Sequence, residues 1–233
     1  MSMTIDSRFL SVIVHDLRTP LNVITLSLRM IEQQLPAETP EVSEDVRVIH
    51  ANVFQIDGML ALLADYCRLL ENRASSNRLG FNPSRLVAEE VEFRADQSGR
   101  GRDAIRFESR SRPPSEVNLD EPRARLAIRH ALSNAMASAT GAPVLVVVDG
   151  DSARWRTRII IEAPPPATVE PTELRRELFD RLSGTAASRL GLELAIVALI
   201  SEQFGGTARL EVEPGRSSTL LLDWPTEVEA DPR

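Results

Sequence analysis

The 233 residues carry 42% hydrophobic and 26% charged side chains, enough to bury the cores of two modest domains. A net charge of −7 argues against a general nucleic-acid binder, because affinity for a phosphate backbone rests on clustered positive charge; all 27 basic residues are arginine. One cysteine, Cys67, excludes an internal disulfide and suggests no metal cluster. No run of about 18 apolar residues occurs and no basic stretch leads into an apolar one, so the expectation is a cytoplasmic chain that makes no membrane contact.

From the N-terminus, apolar residues recur at Leu10, Val14, Leu17, Leu21, Ile24, Leu28, Ile31 and Leu35 in alternating steps of four and three, which is a heptad seam. A second seam runs Val46, Ile49, Val53, Ile56, Leu60, Leu63, Cys67 and Leu70. Between them Thr39 suits an N-cap, Pro40 the first helical position, and Glu41, Glu44 and Asp45 the positive end of the helix dipole. Residues 1–72 are therefore predicted to form a helical hairpin. Two helices of about seven turns each cannot enclose a core alone, so the expected product is a homodimeric four-helix bundle.

Residues 73–80, the Ser/Arg-rich end of the stretch Asn72 to Gly80, read as a linker. Beyond it the pattern predicts a helix over 84–95, short strands over 104–108 and 116–119, and a helix over 121–139. Paired strands over 143–149 and 156–162 follow, then helices over 173–182 and 186–204, and a closing hairpin from 207–212 and 217–224. That order makes residues 81–225 an α/β sandwich, with 226–233 as an acidic tail, and the whole an α plus α/β chain.

The residues that carry chemistry lie in the first helix. Residues 15–22 read His-Asp-Leu-Arg-Thr-Pro-Leu-Asn. With Val14 and Leu17 on the seam, His15 faces outward, where a partner protein can reach its imidazole. Asp16 is placed to hydrogen-bond Nδ1 and leave Nε2 as the nucleophile. Thr19 lies one turn on, on the same face, and Pro20 removes a backbone donor and bends the helix beside the site. His50 has no chemical companions in the sequence and reads as a surface or packing residue.

This octet resembles the H-box of two-component histidine kinases, and its place in a heptad hairpin is the family's too. The resemblance implies His15 as phosphoacceptor, with Asp16 and Thr19 assisting and Thr19 able to position water in a phosphatase mode. It also implies that residues 81–225 are an ATPase-type domain, and four motifs test that implication. Asn134, in Arg129-His130-Ala131-Leu132-Ser133-Asn134-Ala135, takes the Mg²⁺-holding position, although the family's basic residue three further on is Ala137. The adenine-reading Asp-x-Gly-x-Gly turn is replaced by Glu162-Ala163-Pro164-Pro165-Pro166, whose prolines oppose close approach of the backbone. The phosphate-cradling glycine stretch is reduced to Gly191, and Glu193 is expected to place a carboxylate against the phosphates. Leu178 to Leu182 resembles the segment beside the lid. The packing signature persists at Ala195-Ile196-Val197 and Phe204-Gly205-Gly206-Thr207.

These departures predict that Asn134 and Gly191 are remnants of a lost nucleotide site, that ATP is not bound, and that no metal is held. The expectation is a phosphorelay protein like the dimeric histidine phosphotransferases. It would carry a phosphoryl group on His15 between receiver-domain aspartates, with Mg²⁺ supplied by the response-regulator receiver. The alternatives are a divergent kinase that autophosphorylates His15 from ATP, and a non-catalytic adaptor that binds a receiver or a kinase.

Overall fold

A computed structural model of the chain describes residues 7–34, 40–71, 78–99, 102–110, 113–163, 172–173 and 188–227. It divides into two compact units, Met1–Asn72 and Arg73–Arg233.

The first unit is a helical hairpin of α1 (Ser7–Gln34) and α2 (Pro40–Glu71). Its core takes one residue per heptad: Val14, Leu21 and Leu28 from α1 against Val46, Val53 and Leu60 from α2. The neighbouring seam positions Leu17, Ile24, Ile31, Ile49 and Ile56 stay 42–47% exposed. Two helices bury only the ridges that face each other, and the second ridge of a heptad seam needs a further surface. Leu35 and Thr39, read from sequence as seam end and cap, lie outside the described residues. Over Glu44–Glu71, α2 is long and apolar enough by length and composition to cross a membrane, with a mean hydropathy of 1.3 in its apolar window. The sequence reading passed over it because it counted unbroken apolar runs. In α2 the seam residues are interleaved with Ala61, Leu62, Ala64 and Leu69, which raise the average without making a run.

The second unit is an α/β sandwich. Strand β1 (Arg78–Phe81) pairs antiparallel with β3 (Val117–Asp120). Residues 78–80, read from sequence as linker, are thus strand; β1 is short and largely exposed, and its hydrogen bonds come from β3, far away in sequence. Helix α3 (Pro83–Gln97) starts on Asn82, whose side chain accepts the Arg85 N–H at 2.8 Å, with Pro83 in the first turn. Strand β2 (Ile105–Ser109) follows a 3₁₀ turn. Helix α4 (Glu121–Ser138) is capped by Asp120, which accepts the Arg123 N–H at 3.1 Å.

The remaining elements are β4 (Val144–Gly150), β5 (Arg154–Ile161), β6 (Thr172–Glu173), α5 (Ser188–Gln203), β7 (Thr207–Glu213) and β8 (Ser217–Pro225). Six strands form one sheet in the order β2-β4-β5-β8-β7-β6, in which β2 and β4 run parallel and every other pair antiparallel. Glu173, expected to open a helix, instead pairs with Arg209 across β6 and β7. The rest of that expected helix, 174–182, lies outside the described residues.

Strand alternation divides the sheet's faces. Trp155, Thr157 and Ile159 of β5 and Leu220, Leu222 and Trp224 of β8 are buried in the core. Arg154, Arg156 and Arg158 fall on the opposite parity and pair with acids, Arg158 with Asp149 at 2.7 Å and Arg154 with Asp223 at 2.8 Å. Trp224 stacks edge-on with Trp155 and with Phe204, ring centroids 4.9 and 5.1 Å apart. Its Nε1 donates to Ser201 Oγ at 2.8 Å. Helix α5 ends just beyond, at Gly205 with φ of 69°, and the Gly206 N–H returns to the Ser201 carbonyl at 2.9 Å. A Cβ on Gly206 would stand 2.5 Å from the Asp223 carbonyl oxygen, so glycine is what lets the helix end abut β8.

Two measurements check this packing. Ser201→Ala leaves the buried indole N–H of Trp224 without its acceptor, and denaturant unfolding should show a loss of about 1–3 kcal/mol; an unchanged midpoint would mean that the indole finds another acceptor. In the β4–β5 turn, Asp151 Oδ1 accepts the N–H groups of Ala153 at 2.9 Å and Arg154 at 3.0 Å. These bonds, that of Ala153 first, hold its carboxyl below the ordinary 3.8. A carboxyl lowered on folding stabilises the fold above its unfolded value, and that contribution disappears as pH falls through the folded value. The Asp151 side-chain signal should therefore titrate below 3.8 in the folded chain, and Asp151→Ala should flatten the acid side of the stability profile.

Candidate functional site

Because Val14 is buried on the hairpin ridge, a step of about 100° along α1 turns His15 away from it. The His15 side chain is 84% exposed, and its Nδ1 lies 3.3 Å from Asp16 Oδ1. Thr19 and Asn22 are exposed further along the helix. Pro20 lies inside α1 and lacks the N–H that would otherwise bond the Asp16 carbonyl. Arg18, a motif residue without a role assigned from sequence, reaches across to α2, its Nε 3.5 Å from Asp57 Oδ1. Nothing in the spacing of Asp57 marks it; only the antiparallel hairpin brings it to Arg18. The site thus offers an exposed imidazole with one nitrogen beside a carboxylate and a hydroxyl one turn away, an arrangement suited to nucleophilic attack from Nε2. His50, by contrast, is half-buried on α2.

In the second unit α4 carries His130, buried, and Asn134, partly buried, one turn apart on one face. Helix α5 lies antiparallel to α4, as two side-chain bonds show. Arg123 donates to Gln203 Oε1 at 2.9 Å at one end of the pair, and Ser133 Oγ donates to Glu193 Oε1 at 2.9 Å at the other. Ala124, Ala127 and Ala131, all buried, keep the bulk of the α4 surface low.

This geometry corrects the reading of Glu193. The sequence placed its carboxylate against the nucleotide phosphates; the structure buries it to 2% exposure and bonds it to Ser133. One position along a helix is a turn of about 100°, and motif alignment alone does not say into which side of α5 the residue falls. Ser133 was read only as part of the motif, and no sequence signal marks it as the partner. Gly191 lies within α5, two residues before Glu193.

Glu162, which stands where the adenine-reading aspartate was sought, continues the outward parity of Arg158 and Ile160. It meets Arg106 of β2, Oε2 to guanidinium 2.6 Å. Pro164 to Pro166 and Leu178 to Leu182 lie outside the described residues. The residues present fit a Mg²⁺-bound nucleotide at Asn134: its side chain carries an amide oxygen, a hard donor of the kind Mg²⁺ takes, on a partly exposed helix position, and the Glu193 carboxylate is buried and bonded to Ser133.

Residues 6–71 match the His Kinase A (phospho-acceptor) domain, and residues 119–228 match the histidine kinase-, DNA gyrase B- and HSP90-like ATPase. Sensor protein IrlS of Burkholderia pseudomallei (strain K96243) is 25% identical over 224 residues, 94% of this chain and 47% of the relative. Aerobic respiration control sensor protein ArcB of Escherichia coli (strain K12) is 23% identical over 219 residues, 92% of this chain and 28% of the relative. The chain thus spans less than half the length of these curated relatives.

Among solved structures, full-length ShkA in complex with AMPPNP superposes with a TM-score of 0.74 at 21% identity, over 98% of this chain and 48% of that one. Histidine kinase ThkA in complex with response regulator protein TrrA gives 0.62 at 15% identity, over 94% of this chain and 61% of that one. The Acinetobacter baumannii histidine kinase AdeS gives 0.60 at 19%, over 91% and 98%. These likenesses show the fold.

The ATPase match and the sensor-protein relatives overturn the expectation of a phosphoryl carrier without nucleotide binding, and with it the doubt about ATP and Mg²⁺. The likeness to dimeric histidine phosphotransferases finds no support either. That expectation rested on the proline run, the lost glycines and Glu193 together; of these, Glu193 is buried and bonded to Ser133. A phospho-acceptor hairpin followed by an ATPase domain makes this chain a two-component histidine kinase core.

Proposed function

We propose that the chain phosphorylates His15 from ATP and passes the phosphoryl group to the aspartate of a response-regulator receiver domain. The observation that carries this reading is the exposed His15, its Nδ1 beside Asp16, on a hairpin followed in the same chain by an ATPase domain. The reacting nitrogen is Nε2. Its lone pair forms the N–P bond as the bond between the γ-phosphorus and the oxygen bridging to the β-phosphate breaks, and that electron pair leaves with ADP. Asp16 holds the proton on Nδ1 and stabilises the cationic ring formed by the attack. Asn134 is the residue that would hold Mg²⁺, which when bound neutralises charge on the phosphates. Thr19, one turn from His15, positions water for the reverse task of removing phosphate from a receiver.

The open ridge of Leu17, Ile24, Ile31, Ile49 and Ile56 supports a homodimer through the hairpins, since a contiguous exposed apolar stripe of this kind is what a second copy covers. The core acts in the cytoplasm, where ATP and receiver domains meet it.

Incubation with γ-labelled ATP and Mg²⁺ tests the reaction. Acid-labile label should appear on the native chain and be absent from His15→Gln, whose thermal midpoint should be unchanged because the ring is solvent-exposed. Label that arrives only from a phosphorylated receiver, and never from ATP, would sink the kinase reading. Light scattering should give twice the chain mass at micromolar concentration, and Ile24→Asp should shift the protein towards monomer by burying an unpaired charge at the interface; a native chain that stays monomeric would remove the ridge argument.

A further inference from the structure

We infer that Glu193 is a positioning residue for the nucleotide-bound metal, acting through Ser133 to set Asn134. The inference rests on the kinase reading and concerns how the site is held rather than what it does. Glu193 is 2% exposed, and burying a carboxylate is costly unless donors meet it. Ser133 Oγ supplies one at 2.9 Å, and Ser133 is bonded through the backbone directly to Asn134.

The α4–α5 pair is tied at two levels. Arg123–Gln203 and Ser133–Glu193 stand ten residues apart on each helix, which is about 15 Å. The first tie is remote from Asn134. The second grips the last turns of α4, where Asn134 lies four residues before the helix ends at Ser138. A helix end without such a tie frays, and a metal ligand carried on it loses its orientation. Glu193 therefore stiffens the turn that bears the metal ligand.

Glutamine keeps an acceptor oxygen for the Ser133 hydroxyl; alanine does not. The discriminating readout is the metal dependence of nucleotide affinity, measured by calorimetry with ATP and Mg²⁺ and again with ATP and a chelator. Glu193→Ala and Ser133→Ala should each weaken Mg-ATP binding by about tenfold while metal-free ATP changes less than about twofold, and the double variant should be no worse than either single one. Glu193→Gln should stay within about threefold of native. Gln203→Ala, which breaks the remote tie, should lower the thermal midpoint without altering the ratio of the two affinities.

A chain that binds Mg-ATP normally in both Ser133→Ala and Glu193→Ala, or loses both affinities in parallel in every variant, overturns the positioning role and leaves the kinase reading intact. A native chain that binds nucleotide under neither condition overturns both. Should Glu193→Ala fail to fold, Ser133→Ala carries the comparison alone, since it removes the same bond at a partly exposed position.

Discussion

A heptad seam has two ridges, and a hairpin of two helices can cover only one of them. In this chain Val14, Leu21 and Leu28 meet Val46, Val53 and Leu60, while Leu17, Ile24 and Ile31 are left open beside Ile49 and Ile56. That constraint places His15. A residue one step after the buried ridge and two before the open one is turned about 100° from the first and about 160° from the second. The imidazole is accordingly 84% exposed on the hairpin. The proline five residues on releases the Asp16 carbonyl from its helical bond, so the turn that exposes the nucleophile lacks one helical hydrogen bond.

The second unit handles charge differently. Among the described residues its buried acids are each met by a specific donor: Glu90 by the guanidinium groups of Arg125 at 3.2 Å and Arg129 at 3.0 Å, Asp120 by the Arg123 N–H at 3.1 Å, Asp149 by Arg158 at 2.7 Å, and Glu193 by the hydroxyl of Ser133. An all-arginine basic set suits this, because the planar guanidinium can bond more than one carboxylate at once, as Arg125 does with Glu89, Glu90 and Glu121. The guanidinium of Arg125 is correspondingly held further into its charged form, chiefly by the Glu121 hydrogen bond. The Ser133–Glu193 contact stands apart because its donor sits next to the residue proposed to hold the metal.

The two units thus divide the chemistry. In the proposed reaction the hairpin would present a nucleophile that needs exposure and little else, and its packing comes from apolar ridges. The sandwich would orient a polyanion, which demands fixed helices, and its helices are held by alanine-lined contact, capped helix starts at Asn82 and Asp120, and polar ties between α4 and α5.

Periodicity and local motif determined a good deal from sequence alone. The hairpin, the outward His15 with Asp16 beside it, and most strands and helices of the sandwich follow from apolar spacing, caps and turn residues, which are properties of neighbours in the chain. What the tertiary structure decided depends on residues far apart in sequence. Strand β1 and the pairing of Glu173 with Arg209 exist only because distant partners supply the hydrogen bonds. Asp57 reaches Arg18 because the hairpin folds back, and Glu162 is drawn to Arg106 across 56 residues. Glu193 is the clearest case. Its motif position assigns it to the phosphates, yet the side of α5 on which it falls, and the hydroxyl waiting on α4, are set by helix rotation and helix packing, which no local pattern encodes.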